Sequence, residues 1–138
     1  MSFVRDLLRE LEADLAQALG LPAESVYTGR APQRITRQGL EVWLRPRETE
    51  QRGSVTVHPL EVHLRLKRLK EGDQTGGGQL GQVLELVELL RRRYDGARPF
   101  ARALPALVAI QVTEAGLDEE PADDGLLQSG LALRVLER

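Results

Sequence analysis

An α+β fold, a two-layer sandwich in which two helices pack on one face of a mixed or antiparallel sheet of about four to five strands, follows from three observations. The first stretch of chain is apolar at every third or fourth residue. The middle and the end alternate with a period of two, and one further stretch with the helical period separates the strands. The length of 138 residues is the usual size of one domain around one core, so residues 1–138 are expected to form a single domain.

From Phe3 to Leu19 the residues Val4, Leu7, Leu8, Leu11, Leu15 and Leu19 line one side, and Arg5, Arg9, Glu10, Glu12 and Asp14 occupy the other. That is an amphipathic helix, with Ser2 as its N-cap, Asp6 near its positive end, and Gly20 followed by Pro22 as its stop. A short extended piece follows around Ser25 to Thr28. Leu40, Val42 and Leu44 then alternate with Glu41, Trp43 and Arg45 as a strand. Pro46 to Gly53 reads as a turn into an antiparallel partner running from Ser54 to about Leu69. In that partner Val55 and Val57 have one parity, and Leu60, Val62, Leu64 and Leu66 have the other. A bulge at His58-Pro59 would restore one apolar face, and Pro59 places the stretch at an edge or a bend.

Glu71 to Gln79, with Gly72, Gly76, Gly77 and Gly78, reads as a flexible connector. Leu80, Val83, Leu84, Val87 and Leu90 then form a second amphipathic helix ending near Tyr94, with Arg91, Arg92 and Arg93 at its negative end, Glu88 able to pair with Arg92, and Gly96 as its cap. Ala106 to Thr113 is nearly all apolar, which suggests a central strand covered on both faces. An acidic loop, Ala115 to Gly125, leads to a last strand, Leu127 to Leu136, in which Leu131, Leu133 and Val135 share a face.

The charge balance of 19 basic and 21 acidic residues gives no global attraction to nucleic acid or to an anionic membrane. The chain has no cysteine, which excludes disulfides and thiolate chemistry. The longest apolar runs are far short of a membrane span, and the first helix does not read as a signal peptide, so the protein is expected to stay where it is made. Arginine far outnumbers lysine and asparagine is absent, a bias that fits a high-GC genome and a thermophilic setting.

Candidate chemistry is sparse. His58 and His63 lie five apart on one strand, with no metal-binding spacing, and read as surface or edge histidines. Glu114, Asp118, Glu119, Glu120, Asp123 and Asp124 lack the spacing of a calcium loop and read as a solvated loop. The glycine run before the second helix matches neither phosphate-loop pattern and reads as a connection that orders against a neighbouring subunit. A carboxylate-x-lysine nuclease pattern is broken by Arg65. Arg30, Arg34, Arg37, Arg45 and Arg47 form a local basic stretch, but the aromatics are not interleaved with them as in an RNA-binding sheet. Trp43 points away from the helices and marks either an interface or a site covered by a loop of the same chain.

Taken in order, the N-terminal helix, "LPAESVYTGRAP", "SVTVHPLEVHLRLKRL", "LGQVLELVELLRRRY" and "ALVAIQVTEAGLDEEPADDGLLQSGLALRVLER" resemble phage tail terminator and tail completion proteins of the lambda type. The resemblance spans nearly the whole chain. It implies a non-enzymatic, cofactor-free and metal-free subunit of a hexameric ring at the head-proximal end of the virion tail, assembled in the host cytoplasm. Such a ring docks on the tail tube protein, stops its polymerisation and meets the head–tail connector protein, and DNA passes through it without specific binding. A ring subunit needs two different surfaces joined head to tail. Arg30, Arg34, Arg37 and Trp43, the connector Gly76, Gly77 and Gly78, and the acidic Asp118, Glu119, Glu120, Asp123 and Asp124 are the candidate interface residues. A neck or head–tail adaptor, a small nucleic-acid-binding accessory protein, and an enzyme with an unrecognised site remain the alternatives.

Overall fold

The computed structural model describes residues 2–29, 40–67, 78–116 and 126–138. Two helices, α1 (Phe3–Leu19) and α2 (Gly78–Tyr94), accompany six strands. These are β1 (Val26–Thr28), β2 (Leu40–Pro46), β3 (Glu50–Arg52), β4 (Val55–Lys67), β5 (Leu107–Ala115) and β6 (Leu126–Glu137). They form one mixed sheet in the order β1-β2-β4-β6-β5, with β3 also paired to β4. β1 and β2 are parallel and the other pairs antiparallel. The fold is α+β, with one strand more than the upper expectation.

α1 begins where Ser2 Oγ accepts the Arg5 N–H at 3.4 Å. It ends at Gly20, whose φ of 65° is the left-handed conformation that lets Leu21 N–H return to the Ala16 carbonyl at 2.8 Å. Leu7, Leu11 and Leu15 are its buried stripe. In α2, Val83, Val87, Leu90 and Tyr94 are buried. Both stripes enter one cluster with Val42, Leu44, Leu60, Val62, Leu64, Leu131, Leu133 and Val135, so the two helices cover the same face of the sheet. Each such side chain removed from water contributes about 1.5–3 kcal/mol, which is what holds the layers together. On α2's outer surface Glu88 bonds Arg91 and Arg92, and these guanidiniums hold its carboxyl down at about 2.

Four expectations about the strands are corrected. The β4–β6 register runs without interruption from Thr56↔Glu137 to Lys67↔Leu126, so there is no bulge at His58-Pro59. The parity break is real instead: Val57 is buried on the face away from the helices, and His58 takes the helix-facing place in line with Leu60, Val62 and Leu64. Nor does Pro59 mark an edge. β4 is the interior strand between β2 and β6, but its partner row on the β2 side is broken between Pro46 and Glu50. The Pro59 carbonyl points into that gap and accepts Arg47 N–H at 2.9 Å, so the N–H that proline lacks would have pointed there too.

The stretch between Pro46 and Gly53 is not only a turn, because Glu50–Arg52 pairs with Val55–Val57 as the short strand β3. Finally, β5 is an edge strand rather than a central one, and Val108 is 42% exposed. Its outer edge is closed by its own chain. Gly96 N–H bonds the Ile110 carbonyl at 2.7 Å, Ile110 N–H the Ala97 carbonyl at 2.9 Å, Val112 N–H Asp95 Oδ1 at 3.0 Å, and Leu107 N–H the Leu104 carbonyl at 3.0 Å. Phe100 and Leu104 anchor this segment in the core. Such blocking removes a template for unwanted strand addition.

The histidines are buried, against the expectation of surface or edge positions, and they lie on opposite faces. His58 is 7% exposed, stacks on Phe3 at 5.1 Å and places Nε2 2.7 Å from Glu137 Oε1. Its Nδ1 is buried without a hydrogen-bond partner. Because Glu137 is partly exposed and can be rehydrated, His58→Leu is expected to change stability by no more than about 1 kcal/mol in a denaturant titration. A loss above about 2 kcal/mol would show that the His58–Glu137 bond holds the end of β6.

Candidate functional site

Alternation in β2 puts Val42 and Leu44 in the core and turns Trp43 to the face that carries no helix. There the register lines up Tyr27, Trp43, His63 and Gly130 across β1, β2, β4 and β6. Trp43 and His63 stack with ring centroids 4.8 Å apart. The Arg45 guanidinium lies 5.8 Å from the Trp43 centroid, and Trp43 Nε1 donates to the Gly29 carbonyl at 2.7 Å. The indole is therefore fixed by its own chain through stacking, a cation and a hydrogen bond.

A polar layer flanks this row. Glu41 is fully buried, stands opposite Arg65 in the register and accepts the Tyr27 hydroxyl at 3.2 Å. Burial, then the Glu41 charge, raises the Tyr27 phenol above its ordinary value, so it stays a donor. His63, 2% exposed, bonds Glu61 at 2.9 Å, and Arg47 lies 3.8 Å from the other oxygen of that carboxylate. His63 and Glu41 are both enclosed in this layer. Among the described residues, no group of three His, Cys, Asp or Glu side chains comes together as a metal site.

Of the candidate interface residues, Trp43 is in this row and Gly78 is the first residue of α2. Arg30, Arg34, Arg37, Gly76, Gly77, Asp118, Glu119, Glu120, Asp123 and Asp124 lie outside the described residues. Their anchors are nevertheless informative. Leu40 pairs with Leu66, Leu66 with Leu127 and Lys67 with Leu126, and Ala115 lies beside Leu131. Leu40 and Leu66 also line a cleft of about 360 Å³ with Gln82, Glu85 and Leu86 from the first half of α2. The glycine-rich segment leaves, and the acidic segment returns, at the tether where Lys67 pairs with Leu126, whereas the basic segment leaves from Gly29, whose N–H bonds the Leu44 carbonyl, and returns at Leu40.

Two arginine-centred contacts had no signal in the sequence. Arg93 bonds both Asp14 oxygens, at 2.8 and 2.6 Å, and Tyr94 donates to Asp14 at 2.6 Å, which ties α2 to α1. At the opposite end of the sheet from the Lys67–Leu126 tether, Arg98 Nη2 and Arg138 Nη2 both donate to the Pro105 carbonyl at 3.2 Å, and Arg98 Nε donates to the Leu107 carbonyl at 2.8 Å. No family model matches the chain, and no curated protein matches it.

Proposed function

We propose that this chain is a structural subunit of a bacteriophage tail, a terminator that assembles as a ring of six, caps the tail tube and offers a surface to the head connector. The observation that carries the reading is the blocking of the sheet's β5 edge and the shortness of its β1 edge. β5 is hydrogen-bonded along its outer side by residues 95–104 of its own chain, and the opposite edge, β1, is three residues long. Subunits built this way cannot extend one sheet indefinitely, and they join through faces and ends. A closed ring that stops growth needs discrete, unlike surfaces of that kind. The order of elements and the strand–acidic segment–strand ending support the same reading, and a neck adaptor ring is its nearest variant.

The nucleic-acid alternative is disfavoured by the state of Trp43. Sequence-tolerant binding of single strands relies on aromatic faces open to bases. Here one face is covered by His63, and the Arg45 guanidinium lies 5.8 Å from the ring centroid. Native mass spectrometry over a concentration series tests the proposal, and a six-subunit species is the expected result. A strict monomer at every concentration, and also in the presence of tail tube protein, would rule the ring out.

A further inference from the structure

Arg98, Arg102, Arg134 and Arg138 gather where β5 begins and β6 ends, and no described carboxylate lies within ion-pair distance of any of the four. The acidic residues nearest to them in sequence are engaged elsewhere. Glu137 meets His58 on the helix-covered face, and Asp95 accepts the Val112 N–H. Arg134 stands between Pro59 and Gln111 on the face without helices, and neither neighbour carries a charge. Arg102 is exposed on the turn between Arg98 and Pro105.

Two of these side chains are held together by the backbone. Arg98 Nη2 and Arg138 Nη2 each donate to the Pro105 carbonyl at 3.2 Å, so the two nitrogens are at most twice that distance apart. Arg98 Nε is tied to the Leu107 carbonyl at 2.8 Å. Arg98 therefore keeps Nη1, and Arg138 keeps Nε and Nη1, for a further acceptor. Charge-assisted N–H···O bonds run about 2.7–2.9 Å, which lets one oxyanion beside Pro105 accept from both side chains. Like charges held together without a counterion repel, and an external anion removes that repulsion.

A lone carboxylate neutralises one charge, whereas this corner presents four, with about 13 Å of strand between Arg134 and Arg138. A dianion, or a chain of regularly spaced monoanions, matches that excess. We propose that the corner is a phosphate-binding site, for a free phosphate dianion or for the phosphates of a duplex nucleic-acid backbone. The site does not depend on the ring reading. It also needs no open aromatic face, because phosphate contacts position a backbone without reading its bases.

Amide and guanidinium NMR spectra recorded during titration with inorganic phosphate, against chloride at equal ionic strength, test the site. A saturable shift confined to the four arginines and to residues 97–107 is expected, with a Kd of about 1 mM, the strength of two or three charge-assisted hydrogen bonds to an exposed anion. Arg138→Gln should weaken binding at least about fivefold. Arg102 makes no contact with another described side chain, so Arg102→Gln leaves the fold intact and should weaken binding about twofold. A short duplex DNA, followed by fluorescence anisotropy, separates the two sources. Binding whose log K falls with log salt at a slope of about −3, shallower by about one for each arginine removed, assigns the site to a nucleic-acid backbone. Phosphate shifts at the corner without DNA binding assign it to the small dianion. Phosphate acting no better than chloride, or shifts spread equally to the exposed Arg5 and Arg9, would overturn the inference. So would hexaglutamate binding the corner more tightly than either phosphate or DNA, since the partner would then be an acidic protein.

Discussion

Gly130→Ala is expected to destabilise the protein by about 3 kcal/mol, at the upper end of what overpacking costs. Gly130 pairs with His63 in the middle of the β4–β6 ladder. A Cβ placed there would stand inside contact distance of the Val62 carbonyl oxygen and 3.1 Å from His63 Cα. Both obstacles are backbone, so no rotamer change relieves them. β4 is also bonded on its other side to β2, and yielding there would disturb the Trp43–His63 stack. For a domain of this size the loss corresponds to a fall in Tm of roughly 10 °C. Gly20→Ala is the matched control. Its φ is 65° but nothing lies within 4 Å, so it carries only the left-handed backbone cost of about 1 kcal/mol. Thermal melts of the two variants separate steric collision from backbone preference. Equal shifts would mean that β6 does not approach β4 so closely at Gly130.

The sequence made legible those parts of the fold whose signal is local. The spacing of Leu7, Leu11 and Leu15, the Ser2 cap and the Gly20 stop define α1 within a continuous segment, and the alternation of Leu131, Leu133 and Val135 orients β6 in the same way. Misreadings arose where a local pattern had two tertiary solutions. The parity change across His58 was compatible with a bulge or with a polar residue in the core stripe, and the Phe3 and Glu137 partners that permit the second are remote in sequence. The apolar run of β5 suggested burial on both faces, whereas part of that apolarity is exposed at Val108 and the edge is covered by a segment with no regular pattern of its own. β3 is three exposed polar residues and has no periodic signal. At the candidate site, alternation alone placed Trp43 away from the helices. Its stacking partner His63 needed the β2–β4 register, and the Arg98–Arg138 corner needed the meeting of β5 with β6.

Asp14→Ala is expected to be nearly as costly, at about 2–3 kcal/mol, because two helices lose their polar tie at once. The side chain is mostly buried and receives Arg93 through two nitrogens and Tyr94 through its hydroxyl. Arg93 is 42% exposed and regains water when the carboxylate is removed, so that pair contributes only about 1 kcal/mol. Tyr94 is fully buried, and its hydroxyl would be left without an acceptor at a cost of about 1–3 kcal/mol. Tyr94→Phe removes the donor along with its need and should cost less than Asp14→Ala. The double variant should cost less than the sum of the two, and strict additivity in chemical denaturation would mean that the hydroxyl is satisfied elsewhere. The pH dependence has a definite sign. The Arg93 guanidinium, and secondarily the Tyr94 hydroxyl, outweigh burial and hold the Asp14 carboxyl below its ordinary 3.8. Its contribution is therefore complete above about pH 4 and is lost as the pH falls through the lowered folded value. Burial, then Asp14, pushes the Tyr94 phenol above its ordinary 10.0, so that contribution is complete below pH 10 and is lost as the pH rises beyond it. Asp14→Asn keeps an acceptor for Tyr94 but cannot titrate, so it should flatten the acid limb of a stability profile below about pH 4 while leaving the alkaline fall in place. An acid limb as steep as that of the unsubstituted protein would assign the acid lability to other carboxylates.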